Sequence, residues 1–430
     1  MISFWYFSLT VFWLLCVAWI FFGNIQFWFF KQNIYWLFLL GFSLFSSLAL
    51  TPLMKQLARK LNAVDEPNKS RKFHTKTTPL MGGLGIFISF LGALLLSMYF
   101  SYELKGVVFA AGLIVMMGLM DDIRGLSSQV RLAGQIIATF ILIKSGIILN
   151  LFPDTSWGIL LDCMFTFVWV IGITNAFNFL DGLDGLASGI GIICSLIFSI
   201  IAFQTNQHTL VLLAVSLMGA CLGFLPYNFR RNRSATIFLG DSGSTFIGFL
   251  LAAFALMGEW AEGNTIKAIS IPVLILGILI FDLGYVMISR LITGKVHSVR
   301  EFLDYTGRDH MHHRLLAVGF SPWQTSLMIF ILTTVFGLTA IMLRNGHTVD
   351  AFLGIGQMVL MLLSITFLMR KGGDFLNNTI QEIKVVGVDE LRDDPRLTHL
   401  ALPGDDNEYQ ELKNLGNMED FVLEISEGNN

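Results

Sequence analysis

WGILLDCMFTFVWVIGITNAFNFLDGLDGLASGIGIICSLIFSIIAF, residues 157–203, holds two long apolar runs joined by the acidic, glycine-rich stretch DGLDG at 181–185. Each run approaches the ~20 residues that cross a bilayer as helix. Working outward, the same pattern recurs through the first 370 positions, and the spans expected are roughly 4–23, 34–54, 81–100, 106–120, 133–150, 157–176, 188–203, 209–226, 244–258, 267–290, 324–342 and 350–369. The fold class expected is an all-α, polytopic integral membrane bundle of about 11–12 transmembrane helices. Its domains are a membrane part, 1–370, and an acidic cytosolic tail, 371–430.

Composition agrees with that class. The chain is 54% hydrophobic and 14% charged, against about a quarter charged in soluble domains. Cys16, Cys163, Cys194 and Cys221 sit in apolar runs without metal or CxxC spacing, and read as small membrane-core residues rather than disulfide partners. The run from Phe4 has no basic residue before it and no small-x-small exit, so it reads as a retained helix. The segment Lys371–Asn430 carries 14 acids and 5 bases, a net −9, which leaves +6 on residues 1–370. Within the tail, Gln381–Val388 has the composition of a strand.

Numbering the loops alternately, one set (55–80, 121–132, 226–243, 290–323 and the tail with Arg370) holds 23 of the 28 basic residues. Basic residues stay on the cytoplasmic side, so this set and both termini are expected in the cytosol. The unusual polar residues fall at the same ends. Asp121 and Asp122 close the fourth span. Asn175, Asn178, Asp181 and Asp184 lie in NAFNFLDGLDG, and Asp241 in FLGDSGS. His310, His312 and His313 follow the tenth span, and His74 precedes the third with PLMGG.

Each group has a plain structural reading. A DD pair can be solvated surface, DGLDG a turn, GDSGS a helix N-cap, and the glycines of PLMGG a close helix contact. Three histidines in four residues lack the companions of a zinc site. Asp282 stands apart, about two turns inside its span, where a charge costs roughly 2.5–3.5 kcal/mol; Arg290 is a candidate partner. Taken together the plain readings weaken, because five carboxylates on one face repel unless a cation or protons lie among them. Mg2+ takes oxygen ligands and keeps waters and substrate phosphates in its shell. Arg131, Arg230, Arg231 and Arg233 suit anionic phosphates. Acids for metal, bases for phosphate and an apolar flank make a phosphoryl-transfer site for a lipid substrate.

RKFH…PLMGG, GLMDD, NAFNFLDGLDGL, FLGDSGS and HMHHRLLAVGFSP, in this order over about residues 45–340, resemble the polyprenyl-phosphate N-acetylhexosamine-1-phosphate transferases. The resemblance implies that undecaprenyl phosphate attacks the β-phosphorus of a UDP-N-acetylhexosamine, with UDP-GlcNAc the expected donor, and that UMP leaves. It implies Mg2+ (or Mn2+) held by Asp241 and Asn178. Asp121 and Asp122 match the pair proposed to bind or deprotonate the lipid phosphate, and Asp181 and Asp184 the acids near the nucleotide. His310, His312 and His313, extended by Arg314, match the loop that touches sugar and diphosphate. His74, Asn175 and Arg131 join them as substrate-binding candidates. The partners expected are these two substrates, the lipid bilayer and a second copy in a homodimer, with no nucleic acid. The setting implied is the bacterial inner membrane, with the product starting a cell-envelope polysaccharide of the O-antigen, common-antigen or teichoic-acid type.

The extra helix 4–23 and a loop before His310 without the frequent Pro-Phe depart from the pattern. The His-x-His-His-Arg-Leu form favours the UDP-N-acetylhexosamine branch over the MurNAc-pentapeptide one. A lipid phosphate with a second pKa near 6 is already mostly dianionic at neutral pH, which favours direct attack over an aspartyl-phosphate intermediate. CDP-alcohol phosphotransferases need acids that are missing between Asp184 and Asp241. The rivals from other classes are a transporter, which predicts acids at mid-bilayer, and an inactive membrane scaffold, which predicts a lost acid.

Overall fold

The computed structural model describes residues 29–386 except 33, 66–76, 98, 232, 262, 295, 297–306 and 308, with side chains through residue 371. The expected helix 4–23, His74 and the tail beyond 386 lie outside the described residues. What is described is almost wholly helical. The elements are α1 (Tyr35–Lys60), a small ladder of β1 (Val64–Asp65) and β2 (Thr78–Pro79), α2 (Gly82–Leu96), α3 (Tyr102–Arg124), α4 (Ser128–Lys144), α5 (Ser156–Leu180), α6 (Leu186–Gln204) and α7 (His208–Asn228). There follow α8 (Asp241–Met257), α9 (Thr265–Ile275), α10 (Gly277–Ile292), the short α11 (Met311–Ala317), α12 (Pro322–Asn345) and α13 (Thr348–Val386).

Among the described residues, 7 helices are long and apolar enough to cross a membrane, or 8 if α9 and α10 count as one broken span; α2 and α8 are shorter apolar helices. Large apolar side chains such as Phe109, Trp157, Val168, Met342 and Leu360 lie exposed on the perimeter. A patch of this extent is not tolerated on a water-soluble monomer and is the surface that lipid covers. With lipid outside, burying apolar surface cannot hold helices together, so close packing must do it. The interior shows this at α8, where every residue from Ser242 to Ala255 is buried. Helices α2, α3, α5, α6 and α7 surround it.

The expected span 267–290 requires correction, because it is two helices bent by 80° at Leu276. Pro272 removes one helical N–H from α9 and crowds the preceding turn. At Gly277 the chain passes Met358 so closely that a Cβ would lie 2.3 Å from its sulfur. The expected strand at 381–388 is also corrected: residues 381–386 continue α13, which passes the 370/371 boundary without a break.

Candidate active site

The site begins where α8 begins. Gly240 turns into the helix at φ 76, a conformation that glycine adopts freely. The first N–H groups of a helix lack intrahelical partners and carry its positive dipole end. The Asp122 carboxylate supplies them from α3, accepting from Asp241 N–H at 2.7 Å and Ser242 N–H at 3.2 Å. A side chain at Gly240 would collide with that carboxylate. Two more glycines permit the approach: a Cβ at Gly118 would lie 2.3 Å from Ser242 Cα, and one at Gly83 would lie 2.1 Å from Gly243 Cα. The start of α8 is thus wedged between the backbones of α2 and α3.

The two adjacent acids have different tasks. While Asp122 caps α8, Asp121 accepts Leu126 N–H at 2.6 Å and faces Arg131 Nη1 at 3.2 Å. It also lies close enough to Asp241 for their charges to interact. From α5, Asn178 donates its amide to Asp241 at 2.6 Å and to Ser244 Oγ at 2.8 Å. Asn175, one turn deeper, pairs with the Gln135 side chain at 2.8 Å. Ser128, Arg131, Gln135, Asn175, Asn178 and Phe179 line a small pocket between α4 and α5.

The DGLDG turn is held from outside. Asp184 accepts Ala235 N–H at 2.7 Å. Asn228, at the end of α7, accepts Gly185 N–H and donates to the Ile237 carbonyl. Asp181 is half-buried, and desolvation together with the charges of Asp241, Asp184 and Asp122 pushes its carboxyl up to about 8.

The histidine segment closes over this turn. His312 packs on Gly182, where a Cβ would lie 2.2 Å from Nε2. The ring is buried, and among the described residues neither nitrogen has a hydrogen-bond partner. Burial, helped by the charges of His313 and His310, holds it well below the ordinary imidazole range, so it is neutral near pH 7. His310 lies 5.4 Å from Phe179 between ring centroids and 6.2 Å from His312, while His312 and His313 lie 4.1 Å apart. Arg314 stacks on Tyr285 and donates to its hydroxyl at 3.0 Å.

The chain therefore brings together Asp121, Asp122, Arg131, Asn178, Asp181, Asp184, Asp241 and the three histidines. Corrections concern the partners. Asp282 pairs not with Arg290 but with His310, at 2.7 Å. Arg290 is buried and grips Asp309 with two contacts of 2.7 Å. Although burial alone would raise Asp309, Arg290 keeps its carboxyl below the usual range. Arg231 stacks on Trp323 at 5.0 Å. Residues missed from the sequence are Gln135, Asn228, Tyr285 and Asp309; only Gln135, a large amide within an apolar helix, offered a signal.

The Mg2+ implied by the resemblance fits these residues in a restricted sense. Among the described residues no three His, Cys, Asp or Glu side chains converge as a ready metal cage. Yet Asp241 sits among carboxylates that drive Asp181 toward its protonated form, a surplus of negative charge that a cation relieves. Mg2+ is commonly bound by one or two carboxylates, with substrate phosphates and water completing its shell. Asp241, with Asn178 beside it, matches that demand.

The family model described as "Glycosyl transferase family 4" matches residues 104–259, the stretch that carries all these groups except the histidine segment. The chain is 34% identical over 312 residues to the Bacillus subtilis protein named "Probable undecaprenyl-phosphate N-acetylglucosaminyl 1-phosphate transferase", covering 70% of this chain and 83% of the relative. The chain belongs to glycosyl transferase family 4. A decaprenyl-phosphate N-acetylglucosaminephosphotransferase of Mycolicibacterium smegmatis is 30% identical over 357 residues, 75% of this chain and 86% of the relative. A phospho-N-acetylmuramoyl-pentapeptide-transferase of Halalkalibacterium halodurans is 28% identical over 330 residues, 70% and 95%. These family 4 relatives share a transferase naming but differ in the sugar and in the lipid.

Proposed function

We propose that the protein transfers N-acetylhexosamine-1-phosphate, specifically GlcNAc-1-phosphate from UDP-GlcNAc, to undecaprenyl phosphate, and starts a cell-envelope polysaccharide on the cytosolic face of the bacterial inner membrane. An oxygen of the lipid phosphate forms a bond to the β-phosphorus, the bond from that phosphorus to the bridging oxygen breaks, and UMP leaves. The observation that carries the reading is the acid cluster at the start of α8, with Asp122 fixing the helix end and Asn178 fixing Asp241. The printed names of the family 4 relatives support the substrate classes.

Phosphoryl transfer is catalysed mainly by positioning and charge stabilisation. Bound at Asp241 and Asn178, Mg2+ would supply charge neutralisation for the diphosphate. Arg131 favours the same anion. The neutral His312, without a hydrogen-bond partner among the described residues, offers the nucleotide sugar a ring nitrogen in a water-poor place. Asp184 and Asn228 hold the turn beneath it.

The test is transfer itself. The purified protein in detergent, with undecaprenyl phosphate and Mg2+, is offered radiolabelled UDP-GlcNAc, UDP-GalNAc and related donors in parallel. EDTA-sensitive label in the lipid phase with release of UMP supports the proposal and names the sugar. No lipid product and no UMP with any donor overturns it.

A further inference from the structure

Asp282 is a carboxylate about two turns inside α10, buried to 4% exposure, in a place where an unpaired charge costs roughly 2.5–3.5 kcal/mol. Both of its oxygens are used, and both on the histidine segment. Oδ2 meets His310 Nδ1 at 2.7 Å, and Oδ1 accepts Met311 N–H at 2.7 Å. Because Met311 N–H can only donate, Oδ1 is committed as an acceptor. A carboxylate facing Nδ1 then requires the proton on Nδ1, which leaves Nε2 as the ring nitrogen open to a ligand. His310 makes no other hydrogen bond among the described residues. Further along α10, Tyr285 holds Arg314 and Arg290 holds Asp309. Helix α10, redirected by the 80° bend, is thus the rail that sets the histidine segment, and Asp282 is the residue of α10 that hydrogen-bonds a histidine ring among the described residues.

We propose that Asp282 is a positioning residue for the transfer: it fixes the tautomer and ring plane of His310 and the start of α11, so that His310 Nε2 is presented to the diphosphate of the nucleotide sugar. This rests on the proposed function. Asp282→Asn keeps the volume and the acceptor for Met311 N–H, but turns an amide N–H toward Nδ1, which imposes the opposite tautomer. Removal of a carboxylate behind a working histidine costs tenfold to hundredfold at metal sites and about ten-thousandfold in a serine-protease triad. The expected loss in kcat is at least thirtyfold, with the donor KM within threefold of wild type.

The decisive measurement is a double-mutant cycle with Asp282→Asn and His310→Gln in the full chain, each variant first shown to be monodisperse in detergent. A residue that acts through His310 costs little once His310 is gone, so the double variant should be no more than threefold slower than His310→Gln alone. Asp282→Glu, which retains the carboxylate, should recover part of the lost kcat. Losses that multiply, or an Asp282→Asn enzyme with wild-type kcat, overturn the positioning role while an active wild type leaves the proposed function standing. A wild type without transfer overturns that function, and this role with it.

Discussion

Gly83→Ala tests whether the wedge around α8 sets the site. A Cβ there lies 2.1 Å from Gly243 Cα, 2.2 Å from Gly243 N and 2.7 Å from the Ser242 carbonyl carbon. All are backbone atoms, so no rotamer change relieves them. Restoring ordinary contact at 3.4 Å moves α2 and α8 apart by about 1.3 Å. Helix α8 has no room on its other side, where Gly118 already brings a built Cβ to 2.3 Å from Ser242 Cα. Clamped between α2 and α3, the start of α8 can yield only by tilting or sliding, and a shift of that size along α3 breaks the Asp241 N–H bond to Asp122, now 2.7 Å. Overpacking costs about 1–3 kcal/mol, and a lost hydrogen bond to a charged group about 1.5–3 kcal/mol. A misplacement near 1 Å at a reacting centre costs about a hundredfold in rate. Thermal unfolding followed by detergent size exclusion, together with the transfer assay, should show a lowered Tm and about a hundredfold lower kcat. The control is Gly172→Ala in α5, where a Cβ meets nothing within 4 Å; it should gain up to about 1 kcal/mol from helix propensity and keep full activity. A Gly83→Ala enzyme with wild-type Tm and kcat would refute the wedge.

Asp241→Asn should abolish transfer while the protein stays folded, because it removes the carboxylate offered to the metal; full Mg2+-dependent turnover would remove Asp241 from that role. Asp181 keeps its proton up to about 8, whereas the unfolded chain releases it near 3.9. The folded state therefore binds more protons in between, and metal-free stability falls as pH rises through that window. Asp181→Asn should then raise the Tm of EDTA-treated protein more at pH 8 than at pH 5, and an equal effect at both would contradict the desolvated acid. His312 has the opposite sign: its folded pKa is depressed, the unfolded chain takes up a proton near 6.5, and stability present above that pH is lost below it. His312→Gln should flatten this acid-side slope in a Tm–pH series and raise the donor KM, and no change in either would take His312 out of the site.

The sequence made the bundle legible because bilayer thickness leaves a direct signature: ten of the expected spans each coincide with one described helix, and an eleventh, 267–290, falls on two. The bend within 267–290 was hidden because its apolar run is uninterrupted and Pro272 alone does not say whether a helix kinks or breaks. The acids of the site were visible because charges are expensive near a membrane, so Asp121, Asp122, Asp181, Asp184 and Asp241 each stood out. Their partners did not. Asn228 and Tyr285 are unremarkable residue types, and Gly83, Gly118 and Gly243 act by having no side chain at contacts between distant helices. Arg290 was the natural candidate for Asp282, one helical face away, but its guanidinium reaches Asp309 and leaves Asp282 to the histidine. Pairing between helices depends on their relative rotation, which residue type and spacing do not encode.

The division of labour within the DD pair bears on the mechanism. Asp122 already holds the Asp241 and Ser242 N–H groups, one on each oxygen. A covalent route through Asp122 would turn one of these oxygens into an ester to phosphorus, and a general-base role would protonate one. Either change removes the negative charge that strengthens both cap bonds, and so loosens the start of α8 beside Asp241 at the moment of reaction. Asp121 is less committed: Oδ1 holds Leu126 N–H, while Oδ2 faces Arg131 without an aligned hydrogen bond. The lipid phosphate has a second pKa near 6 and arrives mostly dianionic at neutral pH, so it needs orientation more than deprotonation. An arginine poised between Asp121 and an incoming phosphate provides orientation, and the capped, rigid start of α8 keeps Asp241 at a fixed distance from it. The geometry therefore favours direct attack, with Asp122 keeping Asp241, the carboxylate proposed for the metal, in place and Asp121 keeping Arg131 in reach.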